Sequence, residues 1–261
     1  RGLGDVYKRQ GQGLVRTWHS WTPLTNAVLS PLFGSDRKFC SEAAARLNAV
    51  VLDCDYRKAP EYPHPYPHQD VEDAILYVHA HPELYDVKNV SIGGFSAGGC
   101  LALGACVSLG RDKIRAVSCV YPSTDLSRPR DGPKDPRLNP NYRSGRVLSG
   151  QVTSLFVRCY LPPGINRKDP IVSPALGEPS RFPDHTFIAC GDADTLYFDG
   201  KSVIENLQTH GTPAQRQYSR FMSVPDQAHG FDIDPQDRTT ELAVEAMYAA
   251  AIENIQASRT P

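Results

Sequence analysis

Five residues, Gly94-Phe95-Ser96-Ala97-Gly98, fit the pattern G-x-S-x-G. A serine hydroxyl is a weak nucleophile unless a base takes its proton. The chemistry open to Ser96 is therefore acyl transfer, provided the chain exposes its oxygen and brings a base to it. The pentapeptide follows a short apolar run (NVSIG) and opens a run of small residues. That is the strand-to-helix setting in which a sharp turn lifts a serine above the edge of a sheet. Side chains collide in such a turn. Gly94 and Gly98 remove the collision, and Ala97 and Gly99 keep the surroundings small. The same turn aims the Ala97 backbone N–H, at the start of a helix, toward a developing oxyanion.

In this constellation the chain order is nucleophile, acid, base. His64 and His68 precede Ser96 in a proline-rich stretch, His79 and His81 end a helical pattern, and His185 and His210 flank elements and read as surface residues. His229 sits late, in the loop segment Ala228-His229-Gly230-Phe231, where the following glycine lets the ring swing toward the nucleophile. The acid belongs at the end of the preceding strand, read at 186–190. Asp192, Asp194 and Asp199 all follow that strand, and order and spacing do not separate Asp192 from Asp194. Its role is to orient the imidazole and stabilise the imidazolium.

These residues need a scaffold. LNAVVLDC at 47–54 reads as a buried strand, with further strands at 89–93, 114–121, 186–190 and 214–221. Helical spacing appears over 69–81, 97–109, 149–160, 197–210 and 241–255. The stretch 55–70 is dense in proline and reads as a loop throughout. Strands alternating with helices imply an α/β fold, a mostly parallel sheet covered on both faces. No repeat or linker divides the 261 residues, so a single domain is expected. The polar excursion at 122–170 is long for a compact domain, which points to a cap or lid, placed at about 125–170.

Composition narrows the classes. Apolar residues make up 40% of the chain, enough for a sizeable core, and the formal net charge is -1. Without a basic run or stripe, nucleic acid is not an expected partner. No apolar stretch approaches the roughly 18 residues of a spanning helix. The seven cysteines are odd in number and irregularly spaced, which reads as reduced, buried thiols in a cytoplasmic compartment. No metal site is expected, and oligomeric state is open, a homodimer included. The start is atypical. Residues 1–10 lack Met and apolar periodicity, and DVYKRQ resembles a translated sequencing-library adapter. Residues 1–31 are therefore read as non-native or aberrant and carry no assigned element.

Taken together, the motifs resemble the hormone-sensitive-lipase-like esterases and lipases, the α/β-hydrolase fold-3 group. Asp55-Tyr56-Arg57-Lys58-Ala59-Pro60-Glu61 is similar to that family's D-Y-R-L-A-P-E, and GFSAGG at 94–99 to its G-D-S-A-G-G. GDADTLYFD at 191–199 is similar to its G-x-x-D-P-L-x-D-E, and by that resemblance Asp194 is the acid. His229-Gly230-Phe231 matches H-G-F, and Ser173-Pro174 the S-P ahead of the acid strand. The likeness covers about 33–255. It implies an α/β-hydrolase fold with a cap, no cofactor, a small-molecule ester substrate with a short to medium acyl chain, and an acyl-enzyme on Ser96. Three departures stand out. The family's H-G-G-G segment supplies oxyanion donors, but upstream of Phe33-Gly34-Ser35 stand Ala27-Val28-Leu29-Ser30-Pro31, and proline has no N–H to give. Residues 17–31 are thus either an interrupted translation or a degenerate copy. Phe95 replaces an acidic residue and Thr195 a proline. The alternatives are a catalytically impaired homologue that binds a small ligand, and an amidase or peptidase on the same fold.

Overall fold

The structure is a computed structural model. It describes residues 37–129 and 135–259, and the backbone alone of 6–7 and 13–17. The segment at 27–35, expected to lack the oxyanion glycines, lies outside these residues.

The described strands form one sheet in the order β1-β3-β2-β4-β5-β6-β7. They are β1 (Val6–Tyr7), β2 (Gly13–Thr17), β3 (Val50–Cys54), β4 (Ser91–Phe95), β5 (Ala116–Val120), β6 (His185–Gly191) and β7 (Arg220–Val224). Only β1 runs antiparallel, pairing Val6 with Leu52 and Tyr7 with Val51. The helices are α1 (Arg37–Leu47), α2 (Tyr66–Ala80), α3 (Ala97–Leu109), α4 (Gly150–Tyr160), α5 (Tyr197–His210), α6 (Pro213–Tyr218) and α7 (Arg238–Ser258).

Alternation along the strands fills two cores. Ile92, Val117, Cys119 and Ile188 point to the face covered by α2, α3 and α5, where they meet Ile75, Leu103 and Ile204. Phe95, Val120, Phe187 and Ala189 point to the other face and meet Phe39 and Leu47 of α1 and Met247 and Tyr248 of α7. Truncating a buried Ile188 or Leu103 to alanine costs about 2–5 kcal/mol. The α7 face also bonds to the sheet: Ser118 Oγ donates to the Ala251 carbonyl at 3.0 Å. The strand order reverses between β3-β2 and β4-β5, so the carboxyl ends of β2 and β4 flank a switch point, where parallel sheets hold ligands. Ser96 follows the end of β4.

Three local expectations need correction. The proline-dense stretch is not loop throughout, because α2 already begins at Tyr66 with a proline in its first turn. A first-turn proline loses an N–H that has no helical partner anyway. The stretch 214–221 is not one strand: α6 occupies Pro213–Tyr218 and β7 starts at Arg220. Thr212 and Gln215 form a capping box, with the Thr212 hydroxyl accepting from the Gln215 N–H at 3.1 Å and Gln215 Oε1 accepting from the Thr212 N–H at 2.9 Å. Finally, residues 1–31, left without elements, contribute the backbone of β1 and β2 to the sheet.

Candidate active site

Ser96 is the residue between β4 and α3. Its backbone stands at φ 51°, ψ -119°, a region that side-chain-bearing residues rarely enter. The turn is held from both sides: Ser96 N–H donates to the Val120 carbonyl at 3.0 Å, and its own carbonyl accepts from Cys100 N–H at 3.1 Å. The turn closes because Gly94 has no side chain. A Cβ there would lie 2.4 Å from the Gly98 carbonyl carbon and 2.5 Å from its oxygen. Ser96 and Ala97 are partly exposed, whereas the residues on either side of them are buried.

His229 Nε2 lies 2.9 Å from Ser96 Oγ. Its Nδ1 lies 2.8 Å from Asp194 Oδ2. An anionic carboxylate at Nδ1 keeps the proton on that nitrogen and turns the Nε2 lone pair toward the serine hydroxyl. Asp194 is fully buried, and its other oxygen accepts the Leu196 N–H at 2.9 Å. The competing aspartates face elsewhere. Asp192 accepts from Asp226 N–H at 2.9 Å and from Asn139 Nδ2 at 3.2 and 3.3 Å. Asp199 accepts the backbone N–H groups of Thr124 and Asp125 at 3.2 and 3.3 Å. They brace the loops on either side, and Asp194 alone among the three meets the imidazole.

The loop carrying His229 is clamped at close range. Ala193 N–H donates to the Gln227 carbonyl at 3.0 Å, and a Cβ on Gly191 would lie 2.2 Å from that same oxygen. On its other side the polar excursion supplies a short ladder. Ala228 N–H donates to Ser144 at 2.9 Å, Arg146 N–H to His229 at 2.7 Å, and His229 N–H to Arg146 at 3.2 Å. Gly145, between those rungs, stands at φ +90° with its Cβ position 2.6 Å from the Ala228 carbonyl oxygen. Sequence reasoning did not find Gly145 or this ladder, since neither periodicity nor spacing marks such long-range pairing.

Burial shapes the electrostatics around the carboxylate. The Cys190 thiol is pushed well above its ordinary value by burial and then by the Asp194 charge. Asp232, three residues after His229, is raised by burial, against hydrogen bonds from Tyr121 and Tyr248 that favour its anion. Among the described residues, the other histidines make their contacts away from Ser96. His68, expected in a loop, is buried in α2, with Nε2 3.1 Å from Glu72 and 3.4 Å from Ser108 Oγ. His64 lies 3.5 Å from the Tyr160 hydroxyl. Beside Ala97 opens a narrow cleft of about 30 Å³, walled by Tyr56, Cys100, Leu101, Leu126 and Tyr160. Among the described residues no three His, Cys, Asp or Glu side chains gather as a metal site, and no helix is long and apolar enough to cross a membrane.

A family profile described as alpha/beta hydrolase fold matches residues 28–233. The chain is 30% identical over 193 residues to the carboxylic ester hydrolase LipN of Mycobacterium tuberculosis, covering 69% of this chain and 48% of that protein. It is 27% identical over 221 residues to carboxylesterase 20 of Arabidopsis thaliana, covering 77% of this chain and 64% of that protein. The chain thus spans about half to two thirds of the length of these curated relatives. Among solved structures, EstE1, a thermostable carboxylesterase cloned from a metagenomic library, superposes with a TM-score of 0.77 at 21% identity, covering 98% of this chain and 84% of that one. That likeness speaks for the fold.

Proposed function

The chain belongs to the alpha/beta hydrolase fold-3 family, and on that premise we propose that it hydrolyses carboxylic esters of short to medium acyl chains through an acyl-enzyme on Ser96. The observation that carries this reading is the hydrogen-bonded line Asp194–His229–Ser96, at 2.8 and 2.9 Å, ending on a serine held in a strained turn. Both curated relatives described above are named for ester hydrolysis.

In the proposed reaction the Ser96 hydroxyl proton passes to His229 Nε2 as Oγ bonds to the ester carbonyl carbon. The carbonyl π electrons move to oxygen, and the Ala97 N–H donates to that oxyanion. Asp194 holds Nδ1–H and offsets the imidazolium charge. As the tetrahedral intermediate collapses, the C–O bond to the alcohol breaks and His229 protonates the departing oxygen. Water then gives a proton to His229 and its oxygen to the acyl carbon, releasing the acid and restoring the Ser96 hydroxyl. We assign the acyl chain to the cleft beside Ala97, whose walls include Tyr56, Leu101 and Tyr160. We read the excursion at about 125–170 as the cap, since Tyr160 of α4 walls that cleft and residues 144–146 bond to the His229 loop.

The test is turnover of p-nitrophenyl acetate, butyrate and decanoate by wild type and Ser96→Ala, with a peptide anilide alongside. Expected are hydrolysis of acetate and butyrate ahead of decanoate and loss of turnover in Ser96→Ala. Wild-type rates no higher than those of Ser96→Ala would reject the reading, and faster anilide than ester cleavage would move it to amide hydrolysis.

A further inference from the structure

Behind the imidazole lies a second carboxylate that the proposed reaction leaves unused. Asp232 is half-buried on the same loop as His229. One of its oxygens accepts from the Tyr121 hydroxyl at 2.5 Å and the other from the Tyr248 hydroxyl at 3.1 Å. Tyr121 follows β5, is almost fully buried, and adopts φ 39°, which is unusual for a bulky side chain. Its ring packs against that of His229, with centroids 4.5 Å apart and planes tilted by 54°. Tyr248 reaches the same carboxylate from α7. One carboxylate therefore ties the histidine loop to the end of β5 and to the helix behind the sheet.

We propose, resting on the function argued above, that Asp232 is a positioning residue for His229. Through Tyr121 it fixes the surface on which the imidazole rests, and its negative charge lies behind a ring that turns cationic during each proton transfer. Among the described residues, few groups face His229. Asp194 comes from the loop after β6, with Cys190 beyond it. Ser96 comes from the elbow, Tyr121 from the end of β5, Asp232 from the ring's own loop, and Arg146 from the excursion, whose backbone pairs with that of His229. Removing the Asp232 charge leaves Asp194 as the anion at the ring. It then takes more acid to protonate the base, so the acid limb of the rate profile moves to lower pH.

Stability separates this role from a structural one. Burial raises Asp232 above the ordinary carboxylate range. A raised carboxylate disfavours the folded state once ionised, so the fold loses this contribution as pH rises through the unfolded and then the folded value. Asparagine carries no such charge. At pH 8, Asp232→Asn should therefore melt no lower than wild type.

The experiment compares kcat, KM, the kcat–pH profile and Tm for wild type, Asp232→Asn and Asp232→Glu on p-nitrophenyl butyrate. Expected for Asp232→Asn are a drop in kcat of about tenfold at nearly constant KM, an acid limb lower by about half a pH unit, and an undiminished Tm. Asp232→Glu, which keeps the charge, should recover most of the rate. Should Asp232→Asn fail to fold, Tyr121→Phe/Asp232→Asn removes donor and acceptor together and is read in the same way. Unchanged kcat overturns the proposal, as do a lowered Tm with an unmoved acid limb and failure of both variants to fold. A wild type without turnover overturns the proposal together with the function it rests on, whereas an active wild type matched by Asp232→Asn overturns this proposal alone.

Discussion

At Ser96 the backbone holds a conformation that costs about 1–3 kcal/mol, and the surrounding glycines are what make it attainable. Gly94→Ala would drive a Cβ to 2.4 Å from the Gly98 backbone. We expect that variant to lose esterase turnover through a displaced elbow, visible as lost activity against p-nitrophenyl butyrate whether or not its circular dichroism changes. The aspartates divide as sharply. Asp194→Asn should lower kcat by about 10⁴-fold, since the imidazole then loses the partner that sets its tautomer. Asp192→Asn should leave turnover nearly intact and lower Tm, because Asp192 accepts from Asn139 and the Asp226 N–H at the base of the loop. Equal losses in the two variants would count against Asp194 as the acid. From sequence, Ser96 was marked by its glycines and His229 by its place in the chain order. The choice among Asp192, Asp194 and Asp199 rested on family resemblance, because all three follow one strand and only the fold decides where each points. Tyr121 and Asp232 carried no signal at all: one reads as a residue ending a strand, the other as a loop residue.

Among the elements, the excursion at 122–170 braces the site, since its residues 144–146 run as a ladder beside the histidine loop. Gly145→Ala places a side chain at φ +90° and 2.6 Å from the Ala228 carbonyl oxygen. Displacement of His229 by even about 1 Å can cost on the order of 10²-fold in rate. We therefore expect kcat to fall far more than thermal stability, measured side by side. Thr212→Ala is the opposite case. It removes the capping-box hydroxyl of α6, remote from Ser96, and should cost about 1 kcal/mol in urea unfolding with turnover unchanged. Long periodic elements were legible: α3 and α5 match their expected spans, and β3 to β6 lie where apolar runs placed them. Boundaries set by special residues were not. The prolines at the start of α2 read as a loop because proline breaks helices everywhere except the first turn. The apolar residues of α6 and β7 merged into one strand because the T-P-A-Q cap was passed over.

For the whole molecule, one sheet with a switch of strand order and helices on both faces places Ser96, Asp194 and His229 beyond the carboxyl ends of β4, β6 and β7. Ser96 and His229, 133 positions apart, and Asp194 and His229, 35 apart, thereby meet, which no local reading of the chain delivers. The same packing seals the thiols. Cys106 and Cys190 are raised well above the ordinary thiol range by burial, and Cys54 is pushed up to about 12. At pH 8 these three should resist dithionitrobenzoate in the native protein and react in denaturant, leaving the half-exposed Cys159 as the first thiol labelled. The central claim is the acyl-enzyme, and the most direct measurement is acid quench of a p-nitrophenyl acetate reaction within its first turnovers, followed by peptide mass spectrometry. An acetyl group on the Ser96 peptide, absent in Ser96→Ala, is the predicted result. Nitrophenol release without any adduct on Ser96, or with the acetyl group on another residue, would contradict it.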